Sequence, residues 1–574
     1  MLALLLVYAA AVLLNLALTG TTIYGPTHFD DEVRYWITAR ALHAGTFTIS
    51  EFSHSPPLYP ISLLPALFLF PASKAYQAAQ VLNFIYITSI LFPVYLILRM
   101  FAGRSLSLLA ASLVLLFPTQ IVMPRSMISE NLFYPLFLWV TCLAFRNFTD
   151  ADSRWRLAEN IIFGVLCGLL VLTRYIALAV VPAFFLLWWL KPLDAKEHAE
   201  KTPLLISKKK VLHAASVALP FLLVLVVWVL PGLRENVPLK ELLGLGIADD
   251  PNPAQLGRRR FVMWAIYYLS YTALIAAPYL GILAAAVMQI RWKEWRSAAN
   301  RWLIGVALIC GTLLLACIRH SWRAAYNYPD PMKIQGRYIL YFVPLFAIAA
   351  FALIRTLNPP RLSKSGYALA VVVLGQAVTA AFLFIYRGII YLEKPLGISV
   401  NSADGDFIRI LDTTFLWAFF TILLVSLFFL GRKKTRLAAA MGLMLVVFYL
   451  YGNYRLYTEF LKPGQYSNYM GVELIEVLEN RFGETPELLQ TPVRLSLTDR
   501  IENSDCRAWV STMDFHGFTD VKCVRNGMSG EDDPTVFVAE INGERFTLTN
   551  LGREPVETDG LAEFKYSGEY FVIE

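Results

Sequence analysis

Residues 3–42 read ALLLVYAAAVLLNLALTGTTIYGPTHFDDEVRYWITARAL. The first part, Ala3 to Gly20, contains no charged residue. A hydrocarbon core about 30 Å thick is crossed by roughly 20 such residues in a helix, so the chain enters a membrane at its start. Three consecutive carboxylates follow, Asp30, Asp31 and Glu32. They open a stretch whose Val33, Trp36, Ile37, Ala41 and Leu42 share one helical face, the pattern of a helix lying along the bilayer surface. No basic start and no small-residue cleavage pattern precede Tyr24, so the first span reads as an uncleaved anchor.

The rest of the chain supports a polytopic reading. Its 574 residues are 57% hydrophobic and 16% charged, where soluble domains carry about 25% charged residues. Too few charges remain to cover an ordinary globular surface. This excludes a cytosolic enzyme, a secreted disulfide scaffold, a disordered chain and a plain nucleic-acid binder, despite a formal charge of +7. Residues 457–574 hold 22 acids and 10 bases, a net of −12, which leaves +19 on the first 456 residues. Such asymmetry marks separate environments. The sequence predicts a transmembrane domain over 1–456, with its chemistry in outer loops, and an extracytoplasmic soluble domain over 457–574.

Apolar runs near 3–20, 76–98, 105–122, 129–145, 157–172, 175–190, 211–231, 263–290, 302–318, 338–354, 366–386, 411–430 and 437–454 predict about thirteen transmembrane helices. The run Leu58 to Phe70 is too short and contains Pro60 and Pro65, so it is assigned to a juxtamembrane or re-entrant segment. With the N-terminus inside, the compact basic clusters fall on one side: Arg99 and Arg104; Arg146, Arg154 and Arg156; Lys191 to Lys210; Arg291 to Arg301; Arg355 to Lys364; and Arg432 to Arg436. That is the positive-inside pattern, and an odd number of spans puts the acidic tail outside. The outer ends also carry bases, among them Arg125, Arg174, Arg258, Arg319, Arg323, Lys333 and Arg337. Singly these read as snorkelling side chains or headgroup anchors; several facing several carboxylates suggest a site for an anion.

Cys142, Cys167, Cys310 and Cys317 fall in spans and read as small apolar packers. Cys506 and Cys523, the only two in the tail, are a disulfide candidate if that segment lies in an oxidising compartment; two buried thiols are the alternative. The tail opens with an amphipathic helical pattern over Gly471 to Phe482. Alternating runs then follow at Thr535 to Ile541, Arg545 to Leu551 and Glu569 to Ile573, separated by Asn-Gly and Ser-Gly turns, which predicts a mixed α/β or β-rich fold.

The first outer loop carries the densest chemistry. Carboxylates suit a helix N-terminus, whose free N–H groups and dipole favour negative charge, and capping accounts for one or two of the three. A carboxylate held partly desolvated at the membrane boundary can also act as a general base toward a hydroxyl within hydrogen-bond reach. The loop continues through His54, Ser55, Pro56, Pro57, Leu58 and Tyr59, where consecutive prolines impose a stiff path. Two later outer segments are able to complete a pocket. Arg125 to Glu130 places an acid at a span mouth, where it is costly unless paired or coordinated. Arg319 to Tyr338, rich in Arg, Tyr and Trp, is able to grip a phosphate or to form an interfacial aromatic belt.

Taken in order, these segments resemble the GT-C superfamily of integral-membrane glycosyltransferases, in particular the branch of protein O-mannosyltransferases and lipid A aminoarabinose transferases. The resemblance rests on Asp31, Glu32 and Tyr35; on Pro56 to Tyr59; on Ser129 and Glu130; and on Arg337 and Tyr338. Many relatives carry Lys before the double proline, where this chain has Ser55. The resemblance implies inverting transfer of a sugar from a polyprenyl-phosphate donor to an acceptor hydroxyl of a lipid, glycan or protein at the outer face. Asp31 would be the base, with Asp30 and Glu32 as neighbouring candidates. Arg337, or else Arg174 or Arg319, would stabilise the departing phosphate beside Lys333 and Tyr338. Tyr35, His54, Pro57, Tyr59 and Glu130 would line the substrate pocket, and Glu130 would orient the acceptor or help hold a divalent metal cation. Membrane lipids are the surrounding partner, nucleic acid is not one, and a bacterial inner membrane with the tail in the periplasm is the expected setting.

Two other classes remain open on residues alone. A transporter or lipid flippase predicts ionisable residues near mid-span and repeated, broken halves; here most acids sit at external ends and no internal repeat is visible. A non-catalytic envelope-assembly subunit would use the tail for binding.

Overall fold

The structure is a computed structural model. It describes residues 2–19, 29–53, 55–70, 72–116, 120, 123–149, 157–190, 208–245, 258–275, 298–324, 333–334, 338–339, 341–356, 391–392, 493–497, 513, 518, 521–525, 536–541, 544–550, 553–558, 561–566 and 571–573. Within these the molecule is a helical membrane protein with strands confined to short segments.

The N-terminal helices are α1 (Leu2–Thr19), α2 (Phe29–Ala44), α3 (Ile49–Phe52), α4 (Leu58–Leu69), α5 (Ala72–Thr88), α6 (Leu91–Arg99) and α7 (Arg104–Leu115). A 3-10 turn, Met123–Arg125, leads to α8 (Glu130–Thr149), α9 (Leu157–Thr173), α10 (Ala177–Trp189), α11 (Lys208–Arg234) and α12 (Leu239–Leu242). Then come α13 (Arg258–Ile275), α14 (Ala298–Ala324) and α15 (Phe342–Thr356). Among the described residues, three helical stretches are long and apolar enough to cross a membrane: Lys74–Arg99, which joins α5 to α6, Lys210–Arg234 and Arg301–Arg323. The predicted spans beyond residue 356 lie outside the described residues.

The segment assigned to a juxtamembrane or re-entrant position is α4, twelve residues long with Pro65 inside it. At about 1.5 Å per residue it reaches only about 18 Å, well short of a bilayer core. It packs against α2 instead, forming a cluster of Tyr35, Trp36, Ala39, Tyr59, Leu63, Ala66, Tyr76 and Met127. This corrects the face read for α2. Ile37 is exposed, while Glu32, Tyr35, Trp36 and Ala39, at spacings of three and four, are buried. The helix is covered by α4 and by the 123–130 segment rather than by lipid alone, so the buried face takes in polar groups that have protein partners.

Helix α9 crosses α11 closely. A side chain at Gly164 would collide with the backbone at Val217, and one at Gly168 with Val224. This small-xxx-small spacing lets two backbones approach in a medium that supplies no hydrophobic drive between helices.

The two ends of the bundle are sorted. At one end Arg146 pairs with Glu159 at 3.4 Å. Also there, Arg301 donates to the Phe148 carbonyl at 2.9 Å, and Asn160 bonds His213 at 2.9 Å and accepts from the Trp188 indole N–H at 2.9 Å. All of these fall where the basic-loop count puts the inner face. The opposite end gathers Arg34, Ser55, Arg174, Arg319 and Tyr338 around one cavity.

In the C-terminal part, β3 (Val493–Leu497), β4 (Val521–Arg525), β5 (Val536–Ile541), β6 (Glu544–Asn550) and β9 (Phe571–Ile573) form a mixed sheet ordered β4-β3-β5-β6-β9. β7 (Arg553–Thr558) pairs with β8 (Leu561–Tyr566) in a separate hairpin. Ile541 lies opposite Glu544 with Asn542-Gly543 between them, the spacing of a two-residue hairpin connection. The predicted strands at 535–541, 545–551 and 569–573 overlap β5, β6 and β9. β1 (Lys333–Ile334) pairs in parallel with β2 (Tyr391–Leu392). The predicted helix over 471–482 and Cys506 lie outside the described residues, as does the side chain of Cys523, so the disulfide candidate is not described. Cys142, Cys167, Cys310 and Cys317 are buried and form no disulfide among the described residues.

Candidate functional site

Residues 123–130 run through the protein interior, and every one of them is buried. Buried backbone must find hydrogen-bond partners, and here side chains from three helices supply them. From α5, Gln80 donates to the Arg125 carbonyl at 2.9 Å and Asn83 to the Ser126 carbonyl at 3.2 Å. From α8, Asn131 donates to the same Ser126 carbonyl at 2.9 Å. From α2, the Glu32 carboxylate accepts the Met127 N–H at 2.7 Å. The Tyr59 hydroxyl of α4 in turn donates to Asn83 Oδ1 at 3.0 Å. Gln80 and Asn83 are three positions apart in a sequence that otherwise reads as a span, and that spacing is the signal that reveals them.

At the far end of this segment the contacts become ionic. Ser129 Oγ donates to Tyr35 Oη at 2.9 Å and accepts from Arg174 Nη1 at 3.2 Å. Arg174, in the turn between α9 and α10, forms an ion pair with Glu130 at the start of α8. Glu130 is fully buried and Arg174 is 6% exposed. Its guanidinium also lies 5.1 Å from the centroid of the Tyr338 ring. Burial opposes the charge on Arg174, but the Glu130 carboxylate outweighs it and holds the pKa above the usual guanidinium value.

Arg174 faces a cavity of about 690 Å³. Three guanidinium-bearing residues, Arg34, Arg174 and Arg319, line it together with His320, Tyr35, Ser55, Tyr175 and Tyr338. Leu178, Ala179, Leu315 and Ala316, from α10 and α14, make its apolar wall. The turn at Gly244 closes another side: its φ of +64° suits glycine, and it is packed so closely on the Tyr175 ring that a side chain there would collide with it. Tyr175 is fixed from below by its hydroxyl, which donates to the Ser53 carbonyl at 2.9 Å. A cavity combining several guanidinium groups with an aliphatic wall suits a ligand that is anionic at one end and apolar at the other.

Of the residues singled out in sequence, Tyr35, Arg174, Arg319 and Tyr338 line this cavity. Tyr59, Pro57, Glu32 and Glu130 are buried and are absent from the lining. The backbones of Asp30 and Asp31 form the first turns of α2, and that of Lys333 lies in β1, but their side chains lie outside the described residues, as do His54 and Arg337. Arg34 and His320 were not selected from sequence; each sits beside a selected residue, Tyr35 or Arg319. Among the described residues no three His, Cys, Asp or Glu side chains come together as a metal site. The Glu130 carboxylate is paired through Oε1 with the Arg174 guanidinium.

No family model and no curated protein matches the chain. Among solved structures, the chain is similar to ArnT from Cupriavidus metallidurans bound to undecaprenyl phosphate, with 14% identity, a TM-score of 0.49, and coverage of 91% of this chain and 86% of that one. It is also similar to the oligosaccharyltransferase AglB from Archaeoglobus fulgidus in complex with an inhibitory peptide and a dolichol-phosphate, with 14% identity, a TM-score of 0.38, and coverage of 91% of this chain and 64% of that one.

Proposed function

We propose that this protein is a GT-C-type glycosyltransferase that moves a sugar from a polyprenyl-phosphate carrier to an acceptor hydroxyl at the outer membrane face. The observation that carries the reading is the cavity at one end of the bundle, where Arg34, Arg174 and Arg319 meet an aliphatic wall from α10 and α14. A lipid phosphate has the matching chemistry: an anion for the guanidinium groups and a chain for the wall. The carboxylate cluster Asp30-Asp31-Glu32 opens α2, the helix that supplies Arg34 and Tyr35 to the same cavity.

In this reading Asp31 takes the proton of the acceptor hydroxyl while its oxygen forms the new bond to the anomeric carbon. The bond from that carbon to the lipid phosphate oxygen breaks on the opposite face, and the electron pair leaves with the polyprenyl phosphate. The configuration inverts. The guanidinium groups stabilise the departing charge, an interaction that strengthens as the bond breaks and so lowers the barrier. Arg337 and Lys333 are further candidates for the same task. The domain division at 456/457, a periplasmic location for the acidic tail and a Cys506–Cys523 disulfide belong to this proposal, with the inner membrane of a bacterium as the setting.

The test is transfer by membrane vesicles supplied with polyprenyl-phosphate sugars. Asp31→Asn at normal expression is expected to abolish product, and unimpaired transfer would remove the proposed base. Native mass spectrometry of the purified protein is expected to show a retained lipid phosphate.

A further inference from the structure

The three adjacent carboxylates of α2 divide into different tasks. We infer that Glu32 is a positioning residue, a clamp that fixes α2 against the 123–130 segment, and takes no part in proton transfer. The inference rests on the transferase reading for what is positioned, while the clamp itself stands on geometry alone.

Glu32 is fully buried. Its Oε1 accepts the Met127 N–H at 2.7 Å, a charge-assisted bond of the stronger class. It lies on the side of α2 that packs against α4 and α5, where Trp36, one turn on, meets the Tyr76 ring edge-on at 5.6 Å. The cavity wall is supplied instead by Arg34 and Tyr35, and Glu32 has no part in it. A ligand in the cavity therefore meets Arg34 and Tyr35 without reaching the Glu32 carboxylate, and a base must come within hydrogen-bond reach of the proton it removes.

A second bond one turn on shows what the clamp holds. Tyr35 accepts from Ser129 Oγ at 2.9 Å, and Ser129 accepts from Arg174. Positions 32 and 35 thus tie α2 at two points to a segment that is itself joined to Arg174. Two ties at spacing three fix both the rotation of α2 about its axis and its position along it. The consequence reaches Asp31, the adjacent residue, and Arg34 in the cavity wall. A base displaced by about 1 Å loses on the order of 100-fold in rate, so the clamp has leverage over catalysis without touching substrate.

The test uses the full chain in nanodiscs, with undecaprenyl-phosphate mannose and undecaprenyl-phosphate aminoarabinose as donors. Glu32→Gln keeps an oxygen that accepts the Met127 N–H. It is expected to transfer within about threefold of the parent, with the acid limb of the kcat/KM pH profile unmoved. Glu32→Ala is expected to lose on the order of 10- to 100-fold in kcat, with KM for the donor within about twofold. A Glu32→Gln variant as inactive as Asp31→Asn, or one whose acid limb disappears, would make Glu32 the base and overturn the assignment. Amide hydrogen exchange of the peptide spanning 123–131 reads the clamp without any turnover. Faster exchange in Glu32→Ala than in Glu32→Gln supports it, and equal exchange in Glu32→Ala and the parent overturns it. Full activity in Asp31→Asn, or no transfer from any donor, counts against the transferase reading and leaves the exchange result to decide the clamp.

Discussion

Arg174 and Glu130 form a buried ion pair at the junction of three segments: the turn after α9, the start of α8 and the wall of the cavity. The pair is not isolated, because Arg174 also donates to Ser129 and lies against the ring of Tyr338. The guanidinium that faces the cavity is therefore held from behind by a carboxylate, from one side by a hydroxyl and from another by an aromatic face. A cation fixed in this way does not reorganise when an anion arrives.

Removing one member of a buried pair leaves the other charged and uncompensated, at a cost of about 3–5 kcal/mol. Glu130→Gln is expected to lower thermal stability in detergent by an amount of that order. Arg174→Lys is expected to fail as a replacement, because an ammonium cannot at once pair with Glu130, donate to Ser129 and present a planar face to Tyr338. Differential scanning fluorimetry at low and high salt checks this. Burial limits screening, so the loss is expected to be similar at both.

Asn83 is expected to be irreplaceable by residues of similar size. Asn83→Leu removes the acceptor for the Tyr59 hydroxyl and one donor to the Ser126 carbonyl, at roughly 1–3 kcal/mol for the buried groups left unpaired. Asn83→Asp keeps the acceptor but loses the donor, and is expected to be no better. Melting temperatures of the two variants beside Tyr59→Phe check the assignment, since Tyr59→Phe removes the Tyr59–Asn83 bond and the longer contact to Met127 Sδ but leaves the Asn83 donation to the Ser126 carbonyl.

Gly244→Ala places a side chain at φ +64° and against the Tyr175 ring. The backbone strain alone is about 1–2 kcal/mol, and the ring must also move, breaking its bond to Ser53. The expected result is destabilisation that is partly relieved in the double variant Gly244→Ala, Tyr175→Ala. A double-mutant cycle on unfolding midpoints measures this, and additive losses would mean that the two residues do not press on each other.

Ala316→Trp adds an indole to the aliphatic wall of the cavity. Because the new side chain enters open space, the melting temperature is expected to stay within a few degrees of the parent. Retention of undecaprenyl phosphate through purification, read by native mass spectrometry, is expected to fall severalfold. Unchanged retention would place the lipid elsewhere.

Much of this organisation is written in short-range pattern. Apolar runs between residues 3 and 354 overlap described helices, and the base count sorted Arg146 and Arg301 to one end and Arg174 and Arg319 to the other, as their contacts do. The short Leu58–Phe70 run was legible because length alone forbids a span. The face of α2 was not. Its apolar residues Val33 and Ile37 outvote Glu32 in any periodicity, and only the presence of Met127 and Tyr59 around Glu32 makes a carboxylate the inward residue. Arg174 was legible as a cation at a helix end, but its partner Glu130 lies 44 positions away across two helices. No local spacing encodes such a pair. The polar residues of α5 were visible as exceptions in an apolar run, though what they serve becomes clear only once the 123–130 segment is seen to pass through the interior.

Helix α11 has a consequence of a practical kind. Only 17% of its most apolar window is buried in protein, and Leu219, Leu222, Leu223, Val226, Val227 and Leu230 face outward. One side rests on the two glycines of α9, and the outward aliphatic side chains present an apolar surface of the kind that acyl chains solvate. A short-chain detergent is expected to cover this apolar surface less well than lipid does. The preparation of the protein is thus chemically linked to its cavity, because α11 leads through Arg234 into α12 and the Gly244 turn that closes it. Extraction conditions that loosen α11 are expected to reach the site along that path, which makes the choice of amphiphile a variable in any measurement of ligand retention.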